Sequence, residues 1–137
     1  MLMVALLFVL TSCGQAQNQA NTTSDGKAKV QIYYFHATHR CPTCISIEEN
    51  TKKTLDAYFK NDVEKGHIKF SSLNADDDSN KVLCEKYQAF GSSLHVIKLS
   101  DGKETDNDMT NFAFSYSRKE PEKFIVGLKE KITELLK

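Results

Sequence analysis

The hydrophobic residues of this chain follow two spacings, and the first is that of β-strands. Residues 30–37 are nearly all apolar, β-branched or aromatic, which predicts a central strand covered on both faces. Residues 68–73 alternate apolar and polar side chains with the two-residue period of a strand. Residues 94–99 predict a third strand, and the hairpin signal Asp101-Gly102 leads into a fourth at 104–109.

Three other segments have the spacing of amphipathic helices. The first begins after Pro42 and has apolar positions every three to four residues, at Ile47, Thr51, Leu55 and Phe59, with Tyr58 beside them. The second follows the capping residues 76–79 and carries Val82, Leu83 and Tyr87. The last begins at Pro121 and presents one apolar face made of Phe124, Leu128, Ile132 and Leu135.

The predicted order is strand, helix, strand, helix, strand, strand, helix. It predicts an α/β fold in which helices flank a central mixed sheet of four strands. The sequence Cys41-Pro42-Thr43-Cys44 falls between the first strand and the first helix. This arrangement resembles the thioredoxin fold, and the resemblance covers residues 29–137.

The amino-terminal segment has the features of a secretion signal. Residues 1–10 are an uninterrupted apolar run, too short to span a bilayer. The following Leu10-Thr11-Ser12-Cys13 resembles the bacterial lipobox, in which the cysteine is acylated. We therefore expect residues 1–12 to be a lipoprotein signal peptide and Cys13 to be lipidated. No basic residue precedes the apolar run, and an ordinary cleaved signal with Cys13 as an incidental thiol is the alternative.

The segment after the lipidated cysteine is polar. Residues 14–28 are mostly Gln, Asn, Thr, Ser and Gly, which bury too little surface to offset the entropy of ordering. We expect residues 13–28 to be a flexible tether, spanning roughly 20 Å, that precedes a folded domain at 29–137. The 18 basic and 18 acidic residues cancel, so no basic field attracts nucleic acid, and membrane attachment is expected through the lipid alone.

The two cysteines at the start of the first predicted helix carry the chemistry. A sulfur at position 41 lies beside unpaired backbone N–H groups and the positive end of the helix dipole. His39 and Arg40 precede it and add positive potential. We therefore predict that Cys41 is a nucleophile with a lowered pKa and that Cys44, one turn on, resolves the mixed disulfide.

Two other interpretations of the same residues are a structural disulfide and a metal site. A structural disulfide closing so short a loop would constrain little unfolded-chain entropy. A metal site would use four ligands within nine residues that suit Cu(I), Zn(II) or As(III), namely His36, His39, Cys41 and Cys44. Cys84, inside a predicted helix, is interpreted as a small buried hydrophobe, the alternative being a third thiol for a soft ion.

Within the thioredoxin-like proteins, two runs resemble one family more specifically. Residues 36–44 and 112–118 are similar to those of the ArsF-type nitrophenyl compound nitroreductase subunits, small lipoproteins linked to arsenic-resistance loci. The resemblance implies a part in reducing nitroaromatic arsenicals together with partner subunits. The sequence has no flavin-binding fingerprint, so the only redox group expected is the Cys41–Cys44 disulfide, and we do not expect this chain to reduce a nitro group alone.

Two departures from thioredoxins bear on the chemistry. The resemblance implies a cis proline before the third core strand that shapes the substrate groove and shields the thiols from metals, but residues 92–95 are Ser-Ser-Leu-His. This departure favours the metal interpretation. The resemblance also implies a buried acid six positions before the first cysteine, where this chain has Phe35. Proton transfer to Cys44 would then need water or one of His36, His39 and His95.

Together these features predict a lipid-anchored thiol-disulfide oxidoreductase of the bacterial cell envelope, with its domain facing the periplasm or the exterior. Its expected partners are a membrane thiol transporter that supplies electrons and an envelope redox protein that receives them. The competing class is a metallochaperone-like or arsenical-binding lipoprotein, which would hold an ion with Cys41, Cys44 and a histidine without turnover.

Overall fold

The computed structural model describes residues 28–137, so the signal peptide, Cys13 and residues 14–27 of the tether lie outside the described part. At its centre is a four-stranded sheet with the order β2-β1-β3-β4. The strands are β1 (Val30–His36), β2 (Ile68–Asn74), β3 (Ser93–Ser100) and β4 (Lys103–Asp108). β1 is parallel to β2 and antiparallel to β3, and β4 is antiparallel to β3. The predicted mixed α/β sheet of the thioredoxin-like fold is confirmed.

The helices differ from the prediction in two places. They are α1 (Pro42–Tyr58), α2 (Lys60–Glu64), α3 (Lys81–Lys86), α4 (Thr110–Tyr116) and α5 (Pro121–Leu136), with a single 3₁₀ turn at Asp78–Asn80 before α3. The first predicted helix is interrupted at Phe59, whose backbone is not helical (φ −130°), and continues as the short α2. The helix α4 was not predicted.

The main core lies between the sheet and the helices α1, α4 and α5. Alternate side chains of β1 enter it, and Val30, Ile32 and Tyr34 are fully buried. The apolar face predicted for α5 is confirmed, because all four of its residues are buried. Helix α5 also has a glycine at 127, where a Cβ atom would lie 2.3 Å from the Phe112 ring, so α4 and α5 can approach closely.

A smaller core covers the other face of the sheet, beneath α3. It consists of Phe35, Cys84 and Ala89, with Tyr33 and Tyr87 among the half-buried residues packed against it. The interpretation of Cys84 as a small buried hydrophobe is confirmed, and burial raises the pKa of its thiol. Val82, one of the apolar residues on this helix, is 76% exposed. Helix α3 has only six residues, and Leu83 and Cys84 make its contact with the sheet.

Buried polar contacts attach α1 to the end of α4. The Asn50 side-chain amide donates to the Ser117 carbonyl at 2.7 Å, and the Ser46 hydroxyl lies 3.1 Å from that of Ser117. Both Asn50 and Ser117 are buried, so these bonds satisfy polar groups that have left water. The helix that carries the cysteine pair is therefore fixed by polar contacts as well as by its apolar face.

Candidate active site at the Cys41–Cys44 disulfide

Cys41 and Cys44 form a disulfide at the start of α1. Cys41 is the N-cap residue with an extended backbone, and its sulfur accepts a hydrogen bond from the Cys44 backbone N–H at 3.1 Å. Pro42 follows as the first helical residue, where a missing N–H costs no helical bond and the fixed φ suits the helix. Cys41 is exposed, whereas Cys44 is only 7% exposed. The pair therefore presents one sulfur to solvent and keeps the other inside, as the predicted division of labour requires.

The electrostatics of the helix end favour a charged sulfur at position 41. The first turn of α1 contains no acidic residue, so no carboxylate on that turn offsets the positive end of the helix dipole. The Cys44 N–H that now bonds the Cys41 sulfur would also stabilise a thiolate there. The lowered pKa of Cys41 stays a prediction that this geometry supports.

The two basic residues before Cys41 are placed differently from each other. Arg40 is half-buried, and its guanidinium forms a 2.6 Å ion pair with Glu48 on the second turn of α1. Burial alone would lower the pKa of Arg40, but its contacts with Tyr34 and Glu48 outweigh burial and raise it. Part of the positive potential expected from Arg40 is thus offset by Glu48. His39 is exposed, and its charge helps to lower the pKa of Asp76, chiefly lowered by the bond from the Thr38 N–H.

Two donors hold the backbone carbonyl of Cys44. The Tyr34 hydroxyl donates to it at 2.7 Å and the Arg40 guanidinium at 3.3 Å. Tyr34 is fully buried, and the Arg40 guanidinium lies 5.5 Å from the centre of the Tyr34 ring. These contacts, which the sequence did not reveal, fix the first turn of α1 and with it the position of the Cys44 sulfur.

Ser92, the residue just before β3, lies against the Cys41–Cys44 disulfide. Its hydroxyl oxygen is 3.4 Å from the Cys44 sulfur. It belongs to the stretch that replaces the proline expected from thioredoxins. No local pattern predicts this contact, because the two residues are 48 positions apart and meet only through the pairing of β3 with β1.

The predicted metal ligands are not brought together. Within residues 28–137 the structure contains no group of three or more His, Cys, Asp or Glu side chains placed to hold a metal ion. His36 Nδ1 instead lies 3.0 Å from the Ala37 carbonyl. The metal interpretation therefore gains no geometric support from the described residues.

His95, the third histidine considered for proton transfer, makes hydrogen bonds to other residues on the other face of the sheet. His95 is buried, with Nδ1 3.0 Å from Asp106 Oδ2 and Nε2 3.2 Å from the Ser93 hydroxyl. Its ring packs against Phe35 beneath α3, whereas Tyr34, which reaches Cys44, points into the α1 core. Both ring nitrogens of His95 are thus engaged by Asp106 and Ser93, and neither contacts Cys44.

Replacing Glu48 by glutamine is expected to destabilise the protein by about 1–3 kcal/mol at pH 7. Burial would raise the pKa of Glu48, but bonds from Lys52 and Arg40 prevail and lower it. A lowered folded-state pKa stabilises the fold above the unfolded pKa of about 4.3, and this stabilisation is lost as the pH falls through the folded value. Urea unfolding from pH 7 to 3 should therefore show the two proteins converging in acid, and a constant difference would contradict this account.

No protein-family model matches the chain, and no curated protein matches it. Among solved structures, a Fasciola hepatica thioredoxin is 20% identical, with 80% of this chain and 83% of that chain covered and a TM-score of 0.48. A structure described as a malarial protein is 18% identical, with 64% of this chain and 93% of that chain covered and a TM-score of 0.41.

The class of protein is defined by strand order and the place of the disulfide. A parallel β1-α1-β2 unit, an antiparallel β3-β4 hairpin and a Cys-x-x-Cys disulfide at the start of the first helix give this chain a thioredoxin-like fold. No helix within residues 28–137 has both the length and the apolar character needed to cross a bilayer.

Proposed function

We propose that this protein is a thiol-disulfide oxidoreductase whose redox centre is Cys41–Cys44. The observation that carries the proposal is the asymmetry of the pair. Cys41 is exposed at the start of α1, where the first turn has no acidic residue, and Cys44 is buried one turn on. A purely structural disulfide needs no such asymmetry, whereas a relay needs one sulfur that a partner can reach and one that it cannot.

In the reducing direction the cycle starts from the dithiol. The Cys41 thiolate attacks one sulfur of a partner disulfide, the partner's S–S bond breaks, and the departing partner thiolate takes up a proton. The Cys44 thiol then loses its proton and attacks the Cys41 sulfur, releasing the second partner thiolate, which is protonated in turn. Two electrons pass to the partner, and the Cys41–Cys44 disulfide seen here is the product.

We further propose a cellular location for the domain and the classes of protein with which it exchanges electrons. The apolar run and lipobox-like motif of residues 1–13 support attachment to the bacterial cell envelope through a lipid on Cys13. In that setting a membrane thiol transporter would supply electrons and an envelope redox protein would accept them. The resemblance of residues 36–44 and 112–118 to the ArsF-type subunits suggests an arsenical or nitroaromatic reduction system as the final acceptor.

A redox titration tests the proposed function. The purified protein is equilibrated in glutathione buffers of graded ratio, quenched by alkylation, and the peptide containing residues 41–44 is quantified by mass spectrometry. We expect a reversible two-electron transition with a midpoint between roughly −300 and −120 mV. Cys84→Ser serves as the control variant and should leave the midpoint unchanged, because Cys84 is buried outside the pair.

Two results would contradict the proposal. One is a disulfide that stays oxidised throughout the glutathione range, as a structural bond does. The other is freshly purified protein that carries stoichiometric metal, resists alkylation and shows no reversible disulfide. That result would favour the competing class, a metallochaperone-like or arsenical-binding lipoprotein.

A further inference from the structure

The resolving step requires Cys44 to lose a proton inside the protein, and the usual acid for this is missing. Cys44 is 7% exposed, and Phe35, a fully buried aromatic residue, stands where the resemblance to thioredoxins implies a carboxylate. His95 is bonded to Asp106 and Ser93 on the opposite face of the sheet. Among the described residues, the side-chain group in hydrogen-bonding contact with the Cys44 sulfur is the Ser92 hydroxyl, at 3.4 Å.

The position of Ser92 is set by the strand pairing. Ser93 is the first residue of β3 and pairs with Phe35 near the end of β1, so Ser92 faces the point where the chain leaves β1 for the cysteine motif. Ser92 is half-exposed, which leaves its hydroxyl both contact with the sulfur and access to water. A hydroxyl held in this way has little conformational freedom left to lose when it bonds a charged sulfur.

The Ser92 hydroxyl has one proton and two neighbouring acceptors. The Tyr34 hydroxyl donates its own proton to the Cys44 carbonyl at 2.7 Å, so its oxygen can accept a hydrogen bond from another group. Burial raises the pKa of Tyr34, while contacts with Arg40 and Ser92 work in the opposite direction. Ser92 thus lies near both the phenol oxygen and the Cys44 sulfur, and its single proton can be donated to one of them at a time.

We propose that Ser92 is a catalytic residue of the dithiol, whose hydroxyl donates a hydrogen bond to the Cys44 sulfur as that thiol ionises. This inference rests on the proposed function for its role in turnover. In the mixed disulfide, the Cys44 proton leaves to solvent and the Ser92 hydroxyl turns to the new thiolate. The thiolate attacks the Cys41 sulfur, which breaks the bond between Cys41 and the partner and releases the partner thiolate to take up a proton. A hydrogen bond to the charged form favours that form and so makes it available at a lower pH.

The test uses Cys41→Ser protein, in which Cys44 is a free thiol and cannot form the disulfide. Alkylation of Cys44 is followed from pH 6 to 11 by mass spectrometry of its peptide, which separates it from Cys84. Adding Ser92→Ala is expected to slow alkylation about fivefold to tenfold at pH 7.5 through a higher pKa. The plateau rate at high pH depends on access to the thiolate and on its intrinsic nucleophilicity, not on the ionised fraction, so it should change by no more than about twofold to threefold.

Two matched variants sharpen the result. Ser92→Thr keeps the hydroxyl and should retain the profile of the Cys41→Ser parent, and Ser100→Ala makes the same change at the far, exposed end of β3 and should have no effect. An unchanged midpoint in Ser92→Ala, or a loss in Ser92→Thr equal to that in Ser92→Ala, would overturn the inference. Since this assay involves no disulfide exchange, its outcome is independent of the redox titration.

Discussion

Cys41→Ser is expected to abolish disulfide exchange, and Cys44→Ser is expected to turn the protein into a trap for its partner. The exposed Cys41 is the sulfur that a partner can reach, so its loss should reduce the rate of a dithiol-driven peptide-disulfide reduction by on the order of 10³-fold or more. With Cys44 removed, the first attack still occurs, but the mixed disulfide on Cys41 has no internal thiol to break it.

The Cys44→Ser trap distinguishes the attacking sulfur from the resolving sulfur. Non-reducing electrophoresis and mass spectrometry of Cys44→Ser should show the partner peptide or glutathione on Cys41, while Cys41→Ser should show little adduct on the buried Cys44. Cys84→Ser is the control and should exchange at the parent rate. Equal adduct on the two sulfurs, or a mixed disulfide that forms preferentially on Cys44, would refute the assignment.

Phe124→Ala should strongly destabilise the fold. The ring is fully buried in the main core and stacks on Phe112 with centroids 5.9 Å apart, which joins α5 to α4. Removing it leaves a cavity as well as losing apolar burial, for an expected cost of about 3–5 kcal/mol in the free energy of unfolding. Urea unfolding followed by circular dichroism measures this directly.

Val126→Ala on the same helix is the matched control. Its side chain is 49% exposed, so the free energy of unfolding should change by no more than about 0.5 kcal/mol. If Phe124→Ala cost no more than this control, α5 would not be packed on the sheet as described.

The sequence identified those features that a local pattern determines. The burial of β1, the presence of a strand at β2 and the apolar face of α5 each follow from the spacing of side chains within one element, although burial along β2 does not alternate as predicted. The placement of Cys41 at the start of α1 followed in the same way, because Pro42 and the periodic positions after it indicate a helix start. A site built on a single helix end was therefore accessible to sequence reasoning.

The parts that were missed depend on short or distant contacts. Helix α4 has seven residues, too few to show a helical period, and although Asp108 accepts a hydrogen bond from the Thr110 N–H, its N-cap Met109 makes no side-chain capping bond. Tyr34 had been placed on β1 as an apolar position, and only the folded chain shows its hydroxyl reaching the Cys44 carbonyl. Ser92 and Glu48 are likewise ordinary polar residues in the sequence, and their roles arise from register and helix packing.

The burial of Cys84 has a consequence for oxidative folding. In the unfolded chain its thiol is as open to oxidation as those of Cys41 and Cys44, and any of the three can pair. Once α3 closes over Phe35, the thiol is covered and burial raises its pKa, so it ceases to compete as a nucleophile. A chain that has oxidised Cys84 with the wrong partner cannot complete this packing, and native closure thus selects the correct pairing among the isomers.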